Sequence, residues 1–253
     1  MKARFSFVTI LLVFFFASSG VFAQSLYEKG TITINKRKQI DGYIQIDFRY
    51  PQRFQEDITY IDQKAYDKWL KTGKVKGKAK EKLGLGKFES FELEDGRVWE
   101  VVTYADLTKN KLGMLPKKLC LERIASGKVN AYKFYSHTTG KITQELSGVV
   151  FDSKMNGDRI LIDYIQDNFQ ILVQKTGEHK NPRNLQHANL LNLIGDNDRV
   201  RSNYDENFYG FRDQFIERQK FGVIVNKAYE SAFLNMMNDY NGESAASASL
   251  EIE

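Results

Sequence analysis

Cysteine and histidine are scarce in this chain of 253 residues, and their scarcity excludes several kinds of site. Cys120 is the only cysteine, so no disulfide can close within one chain. It lies between two leucines and far from any catalytic motif, which predicts a buried and unreactive thiol. The three histidines, His137, His179 and His187, show neither the H-x-x-x-H nor the paired-cysteine spacing of a metal site. The sequence therefore predicts no metal site and no cofactor.

Motifs for nucleophilic catalysis and for phosphate binding are missing as well. There is no G-x-S-x-G elbow, and Ser126-Gly127 is typical of a hairpin turn. Gly86-Lys87 does not complete a phosphate-binding loop, because Glu81 occupies the position of the first glycine. No catalytic residue is predicted. A hydrolase with paired carboxylates stays an alternative, since the chain has 32 acidic residues and only their separation in space would reveal such a pair.

The longest apolar run lies at the N-terminus and is too short to cross a membrane. It covers residues 7–17, about 11 residues against the ~20 that a membrane-spanning helix needs. Lys2 and Arg4 precede it, and small residues ending in Ala23 follow it, as in a cleaved signal peptide. Gln24 stands where a lipid-modified protein would carry cysteine. We therefore expect residues 1–23 to be removed and the protein to be periplasmic or extracellular, with no transmembrane segment in the mature chain.

The charge balance is modest. Loss of residues 1–23 removes two positive charges and no negative one, so the net charge falls from +5 to +3. A nucleic-acid-binding protein needs a concentrated basic surface, and this balance gives no support for one.

Residues 24–175 are predicted to be a β-rich region, because apolar and polar residues alternate there and turn signals recur. The first hairpin covers Gly30 to Phe48. Further hairpin turns are predicted at Asp95-Gly96, Ser126-Gly127 and Asn156-Gly157, and a last strand at Phe169 to Val173. Such a series forms an antiparallel meander, a sandwich or an open barrel, and the periodicity does not choose among them.

Two segments interrupt this β pattern. Ala65 to Gly73 has an apolar face formed by Ala65, Tyr66, Trp69 and Leu70, which predicts a short helix. Lysines then recur from Gly73 to Lys87, opposed only by Glu81. The favoured interpretation is a solvated loop, and the alternative is an electrostatic contact with an acidic glycan, lipopolysaccharide or an acidic partner. The segment DFRYPQRF, residues 47–54, is interpreted as a strand end or, alternatively, as aromatic lining of a sugar or peptide groove.

Residues 176–241 are predicted to be a helical C-terminal region that packs on the sheet. One helix should begin near Asn181-Pro182 and end at Gly195. A second should run from Phe221 to Met237, because apolar residues recur there at helical spacing, while Glu230 belongs to its polar face. The tail, residues 242–253, is small, polar and acidic and is predicted to be disordered.

Several stretches together resemble a group of exported proteins of unknown function from Bacteroidota. They are KGTITI, DGYIQI, KFESFELEDGRVWEVV, LCLERIASGKVNAYKFY and FQILVQKTGE, followed by a helical end containing LLNLIGDNDRV and VNKAYESAF. The resemblance implies export and a β-then-α architecture, and it transfers no catalytic residue. We therefore expect an α+β protein, an antiparallel meander or sandwich-like region followed by packed helices. The expected function is non-enzymatic binding of another envelope protein or an acidic glycan. The alternative is a periplasmic hydrolase acting on glycan or peptide.

Overall fold

The computed structural model describes residues 26–105, 115–136, 157–185, 188–211, 217–219, 222–224 and 227–250. The predicted signal peptide, His137 and His187 lie outside these ranges. In chain order the elements are β1 (Tyr27–Asn35), β2 (Lys38–Gln45), α1 (Pro51–Glu56), β3 (Asp57–Ile61), α2 (Gln63–Thr72), β4 (Glu81–Gly84), β5 (Ser90–Leu93), β6 (Val98–Tyr104), β7 (Lys117–Ala125), β8 (Val129–Phe134), α3 (Gly157–Asp167), β9 (Gln170–Lys175), β10 (Arg183–Asn184), α4 (Leu190–Ile194), α5 (Asp198–Asp205), β11 (Glu217–Gln219), β12 (Gly222–Ile224) and α6 (Lys227–Leu250).

Ten strands form one antiparallel sheet, which confirms the α+β prediction. The order is β10-β9-β8-β7-β6-β5-β1-β2-β3-β4, and β11 and β12 form a separate hairpin. Strand β1 therefore lies inside the sheet. Strands β2 to β4 follow on one side of it, and β5 to β10 follow on the other side. The hairpin turns predicted at Asp95-Gly96 and Ser126-Gly127 are confirmed between β5 and β6 and between β7 and β8.

The return from β4 to β5 requires the sheet to curl. The link contains five residues and must pass four strand positions. Four spacings of a flat sheet take up ~19 Å, and a fully extended link of this length reaches only ~20 Å. Part of that reach is lost in a turn, where the Lys87 amide donates to the Gly84 carbonyl at 2.9 Å. The two sides of the sheet must therefore bend toward each other, so a single curled sheet replaces the two layers of a sandwich.

The inner face of the curled sheet carries the main core. Trp99 of β6 is fully buried, stacks on Phe91 at 5.7 Å and meets Phe54 of α1 edge-on at 5.2 Å. Phe233 and Met236 of α6 belong to the same buried cluster. The predicted packing of the C-terminal part on the sheet is thereby confirmed.

A glycine and an asparagine fix where α6 meets the sheet. The Asn241 side chain accepts from the Val129 amide and donates to the Val129 carbonyl, both at 3.0 Å. The chain in front of Val129 passes so close that a Cβ on Gly127, which has φ of 148°, would lie 2.7 Å from Cγ of Asn241. Only glycine allows this approach without displacing the Asn241 side chain.

Two predicted boundaries in the middle of the chain are wrong. Gly157 begins helix α3, and Ile160 to Ile162 lie within it rather than in a hairpin strand. Short apolar runs fit either period, and here the longer pattern through Ile165 is helical. The helix predicted from Asn181 is also wrong, because Arg183–Asn184 pairs with β9 and helix α4 begins only after its Asn189 cap. The predicted end at Gly195 is confirmed.

The last helix also differs from its prediction. It begins at Lys227, because Gly222–Ile224 forms strand β12, as a β-branched run favours. The buried stripe of Tyr229, Ala232, Phe233, Met236 and Met237 is confirmed, whereas Ala228 is exposed. The helix continues to Leu250, where the sequence predicted a disordered tail, since alanine-rich segments favour helix.

Glu230 was wrongly assigned to the solvent face of this helix. Its side chain is 13% exposed and pairs with Lys133 of β8 at 2.7 Å. Helix α6 therefore contacts the sheet through the charged residue Glu230 as well as through its apolar stripe. The helical spacing of apolar residues does not indicate this ion pair, because it depends only on the polarity of each residue in the helix and not on the residues of other elements.

Candidate functional site

A lysine-rich surface extends over α2, the segment after it and β4. We call it the basic surface. Its eight exposed lysines are Lys64, Lys68, Lys71, Lys74, Lys76, Lys78, Lys80 and Lys82. Residues 63–82 contain these eight lysines and two acidic residues, a net charge of +6, whereas the whole chain without residues 1–23 has +3. The positive charge is therefore concentrated here, and the remainder of that chain is net negative.

Apolar residues between the lysines attach the basic surface to the sheet. Val75 and Ala79 alternate with the lysines and pack against the cluster formed by Tyr27, Ile61 and Ala65. A 3₁₀ turn at Gly77–Ala79 and strand β4 then continue the segment, so the predicted solvated loop is only partly correct. The lysines therefore project from a packed backbone.

Helix α2 begins at Gln63, two residues before the predicted start at Ala65, and ends at Gly73 as predicted. The Asp62 side chain accepts from the Ala65 amide at 2.7 Å and caps the first turn. Gly73, with φ of 64°, ends the helix in the left-handed region. Trp69 meets Tyr27 edge-on at 5.3 Å, whereas Leu70 is 62% exposed and does not belong to the packed face that the sequence predicted. An exposed leucine thus lies among the lysines.

Few acidic groups neutralise the basic surface. Lys82 pairs with Asp57 at 2.8 Å, and within the described residues it is the only one of the eight lysines in an ion pair. The nearby Glu81 instead accepts from the Tyr60 hydroxyl at 2.5 Å. Burial and this hydrogen bond raise the pKa of Tyr60 to about 12. Seven lysines thus keep their charge available to an external anion, at the cost of mutual repulsion within about one Debye length.

A polar cleft of about 360 Å³ adjoins the basic surface. Lys80 and Lys82 line one part of it, and Asp47, Arg53 and Phe54 come from the DFRYPQRF segment. The segment therefore lines a cleft, but Phe54 is buried and the chain from Pro51 is helix α1, so the strand end predicted there is wrong and a sugar or peptide groove stays a prediction.

The carboxylates of this cleft are neutralised by cations. Asp47 accepts two bonds from the Arg49 guanidinium, both at 2.8 Å. Glu56 pairs with Lys117 at 3.5 Å, and Asp57 with Lys82. Each of these three carboxylates is therefore held by a cation, and Arg53, Lys80 and Lys82 add hydrogen-bond donors to the cleft.

A second set of charges lies on the inner face of the sheet. Arg97 contacts Glu28 and pairs with Asp95 at 2.7 Å. Tyr135 donates its hydroxyl to Glu122 at 2.8 Å. Burial raises the pKa of Glu28, and the charges of Asp95 and Glu122 raise it further, against the lowering effect of Arg97.

These inner charges are saturated by one another and by the backbone. Gln55 is buried and uses its amide to donate to the Tyr135 carbonyl at 2.9 Å and to accept from the Tyr135 amide at 3.0 Å. Burial, followed by the charge of Glu122, raises the pKa of the Tyr135 hydroxyl well above its ordinary value. Such a network ties α1 to the sheet, and we assign it a structural role.

Two of the residues that the sequence analysis considered for catalysis or metal binding, Cys120 and His179, have contacts that belong to the fold. Cys120 is fully buried, and burial raises the pKa of its thiol well above the ordinary value, as the predicted inert thiol requires. Nδ1 of His179 accepts from the Lys175 amide at 3.3 Å within a turn. Among the described residues no group of three or more His, Cys, Asp or Glu side chains could hold a metal ion.

The sequence showed the lysines but not the cleft beside them. The cleft forms where α1, β3 and β4 meet, and their juxtaposition depends on strand pairing that no local pattern specifies.

No helix in the described part of the chain has both the length and the apolar character to span a membrane. Comparison with protein-family models, with curated proteins and with solved structures finds no match for this chain.

Proposed function

We propose that this protein is exported and acts in the cell envelope as a non-enzymatic binding protein for an acidic glycan. The observation that carries the proposal is the basic surface, where residues 63–82 hold a net charge of +6 on a packed backbone. Export rests on the signal-like residues 1–23, and it would bring the protein into contact with envelope glycans.

The chemistry of lysine favours a glycan over a folded protein as the ligand. Lysine is depleted in the buried centres of protein interfaces, because its strongly hydrated ammonium is costly to desolvate. It suits a flexible anionic chain, whose acidic groups recur along its length and stay partly hydrated. The basic surface offers such a row of point charges, and Leu70 is its only strongly exposed large hydrophobic residue.

The adjoining cleft supplies what a bare lysine cluster lacks. Its carboxylates can accept from sugar hydroxyl groups, and Arg53, Lys80 and Lys82 can donate to acidic groups or ring oxygens. A polyanion without hydroxyl-rich units would gain only the electrostatic part of this interaction. We therefore assign the cleft to one sugar unit of a chain that continues across the lysines.

The hydrolase alternative finds no support in the described clefts. Besides the cleft at the basic surface, whose carboxylates are paired, a second cleft contains Glu100, which pairs with Arg123 and accepts from the Tyr132 hydroxyl at 3.3 Å. The carboxyl whose pKa is raised, Glu28, lines neither cleft. The binding function therefore stands as the better account of the geometry.

A charge-reversal experiment tests the proposal. Lys74→Glu/Lys76→Glu/Lys78→Glu should weaken binding of the mature protein to polygalacturonate at least about tenfold, since each exposed charge contact contributes ~0.2–1 kcal/mol and reversal adds repulsion. The matched control is Lys36→Glu/Arg37→Glu/Lys38→Glu, which makes the same change in net charge in the exposed β1–β2 turn.

Calorimetric titration with polygalacturonate, neutral dextran and double-stranded DNA would separate the possibilities. Binding to polygalacturonate that the control retains and the first variant loses is the expected result. Equal losses in both variants, or equally tight binding of DNA, would show a general response to net charge and would refute the assigned site.

A further inference from the structure

An exposed aromatic residue is held in a fixed position at the junction of α5 and α6. Phe208 is 74% exposed, the largest exposed fraction among the strongly exposed apolar side chains of the described residues. It follows Asn207, whose φ of 60° is the only positive value at a described residue other than glycine. The Phe208 amide donates to the Asn203 carbonyl at 2.8 Å, and the Gly210 amide to the Asn207 carbonyl at 3.0 Å. The turn is thus fully specified by hydrogen bonds.

A chain of side-chain contacts fixes the Phe208 ring as well as its backbone. The ring meets Tyr209 edge-on, with centroids 5.4 Å apart and an interplanar angle of 85°. Tyr209 is buried and donates its hydroxyl to Asp239 at 2.5 Å, and Asp239 also accepts from Arg199 at 2.5 Å. The Tyr209 contact favours one orientation of the Phe208 ring, which reduces the conformational entropy that binding to the ring would cost.

The Phe208 ring borders a shallow cleft of about 530 Å³, a volume typical of small-molecule sites. The amides of Asn235 and Asn238 line it from the exposed side of α6 and are without side-chain hydrogen-bond partners in the described structure. Arg199 and Asp239 neutralise each other, so the described residues lining the cleft carry no net charge. These properties differ from those of the basic surface.

We propose that this cleft binds an uncharged sugar unit of a glycan. The C–H groups on one side of a pyranose ring can pack on the Phe208 face, as apolar groups do on exposed aromatics. A sugar hydroxyl both donates and accepts, and each asparagine amide offers the same pair of functions. This assignment is independent of the function proposed for the basic surface, because it uses other residues and a ligand of different charge.

Calorimetry and ¹H–¹⁵N NMR of the mature protein with maltohexaose, cellohexaose and chitohexaose test the assignment. At least one of these neutral probes should bind and shift the side-chain amide signals of Asn235 and Asn238. Phe208→Ala should weaken that binding about tenfold, as loss of an aromatic contact does. Leu70→Ala, which removes another exposed apolar side chain, should leave it unchanged.

The assignment fails if none of the three probes shifts these amides, or if Phe208→Ala binds as the wild type does. It also fails if the shifts appear only with polygalacturonate, since the cleft would then bind an acidic ligand. An unchanged melting temperature of Phe208→Ala would show that any loss of binding is local, and the amide assignments would show whether the turn is intact.

Discussion

Replacing Phe233 by alanine should strongly destabilise the protein. The Phe233 side chain has no exposed surface and lies in the main core together with Tyr229, Met236, Met237 and Tyr240 of the same helix. Truncating a buried phenylalanine costs ~3–5 kcal/mol, the transfer free energy plus that of the cavity it leaves. A domain is stable by only ~5–15 kcal/mol, so this loss is a large share of the total.

A thermal melt followed by circular dichroism measures the effect. At ~2–4 °C per kcal/mol for a chain of this size, the melting temperature should fall by ~6–20 °C. Phe208→Ala is the matched control, because it removes the same atoms from a ring that is 74% exposed, and it should change the free energy of unfolding by no more than ~0.5 kcal/mol. Similar melting temperatures for the two variants would refute the packing of α6 on the sheet.

Three further predictions concern single side chains. Glu230→Ala should lower the free energy of unfolding by about 1–3 kcal/mol, because it leaves the Lys133 ammonium without its carboxylate partner where both side chains are largely buried. Glu230→Gln should lower it less. A melting temperature of Glu230→Ala equal to that of the wild type would contradict the ion pair. Cys120 should react with a thiol reagent only after denaturation, so rapid labelling of the native protein would mean that β7 is misplaced. Partial burial would raise the pKa of Asp196, but the Tyr240 hydroxyl and a nearby lysine lower it overall. Its contribution to stability is therefore present above the ordinary aspartate pKa and is lost as the pH falls through the lowered pKa of the folded state. Asp196→Asn should therefore lose less stability than wild type over that range in denaturant titrations, and equal losses would argue against the bond to Tyr240.

The hairpins were predictable because the information that determines them is local. Gly96 has φ of 87°, a conformation that side chains other than glycine rarely adopt, and its neighbours alternate with period two. The same holds for the turn before β8. The pairing of β1 with β5 was not predictable, because 54 residues, 36–89, separate the two strands and only the folded sheet brings them together.

The predicted elements were wrong where a short apolar run fits both the two-residue period of a strand and the 3.6-residue period of a helix. Ile160 to Ile162 could belong to a strand or a helix, and the decision depends on Ile165 packing into the core. Gly222 to Ile224 was counted into a helix because the run is continuous with one. The role of Glu230 depends on Lys133, a residue of another element, and no pattern within the helix indicates it.

The candidate site was predictable in composition and not in shape. The lysines of residues 63–82 are evident in the sequence, and so is the alternation that places Val75 and Ala79 between them. The attachment of this segment to Tyr27, and the cleft that it forms with α1, depend on contacts between distant parts of the chain. The same is true of Phe208, whose exposure follows from its turn rather than from its residue type.

Protection of lysines from acetylation is the most direct test of the central claim, that the basic surface binds an acidic glycan. The mature protein would be treated with an acetylating reagent with and without polygalacturonate, and the modified peptides quantified by mass spectrometry. We predict that the glycan protects the lysines of residues 64–82, while Lys36 and Lys38, which are also exposed and lie beside the β1–β2 turn, stay reactive. Uniform protection of all these lysines, or none at residues 64–82, would contradict the proposed function.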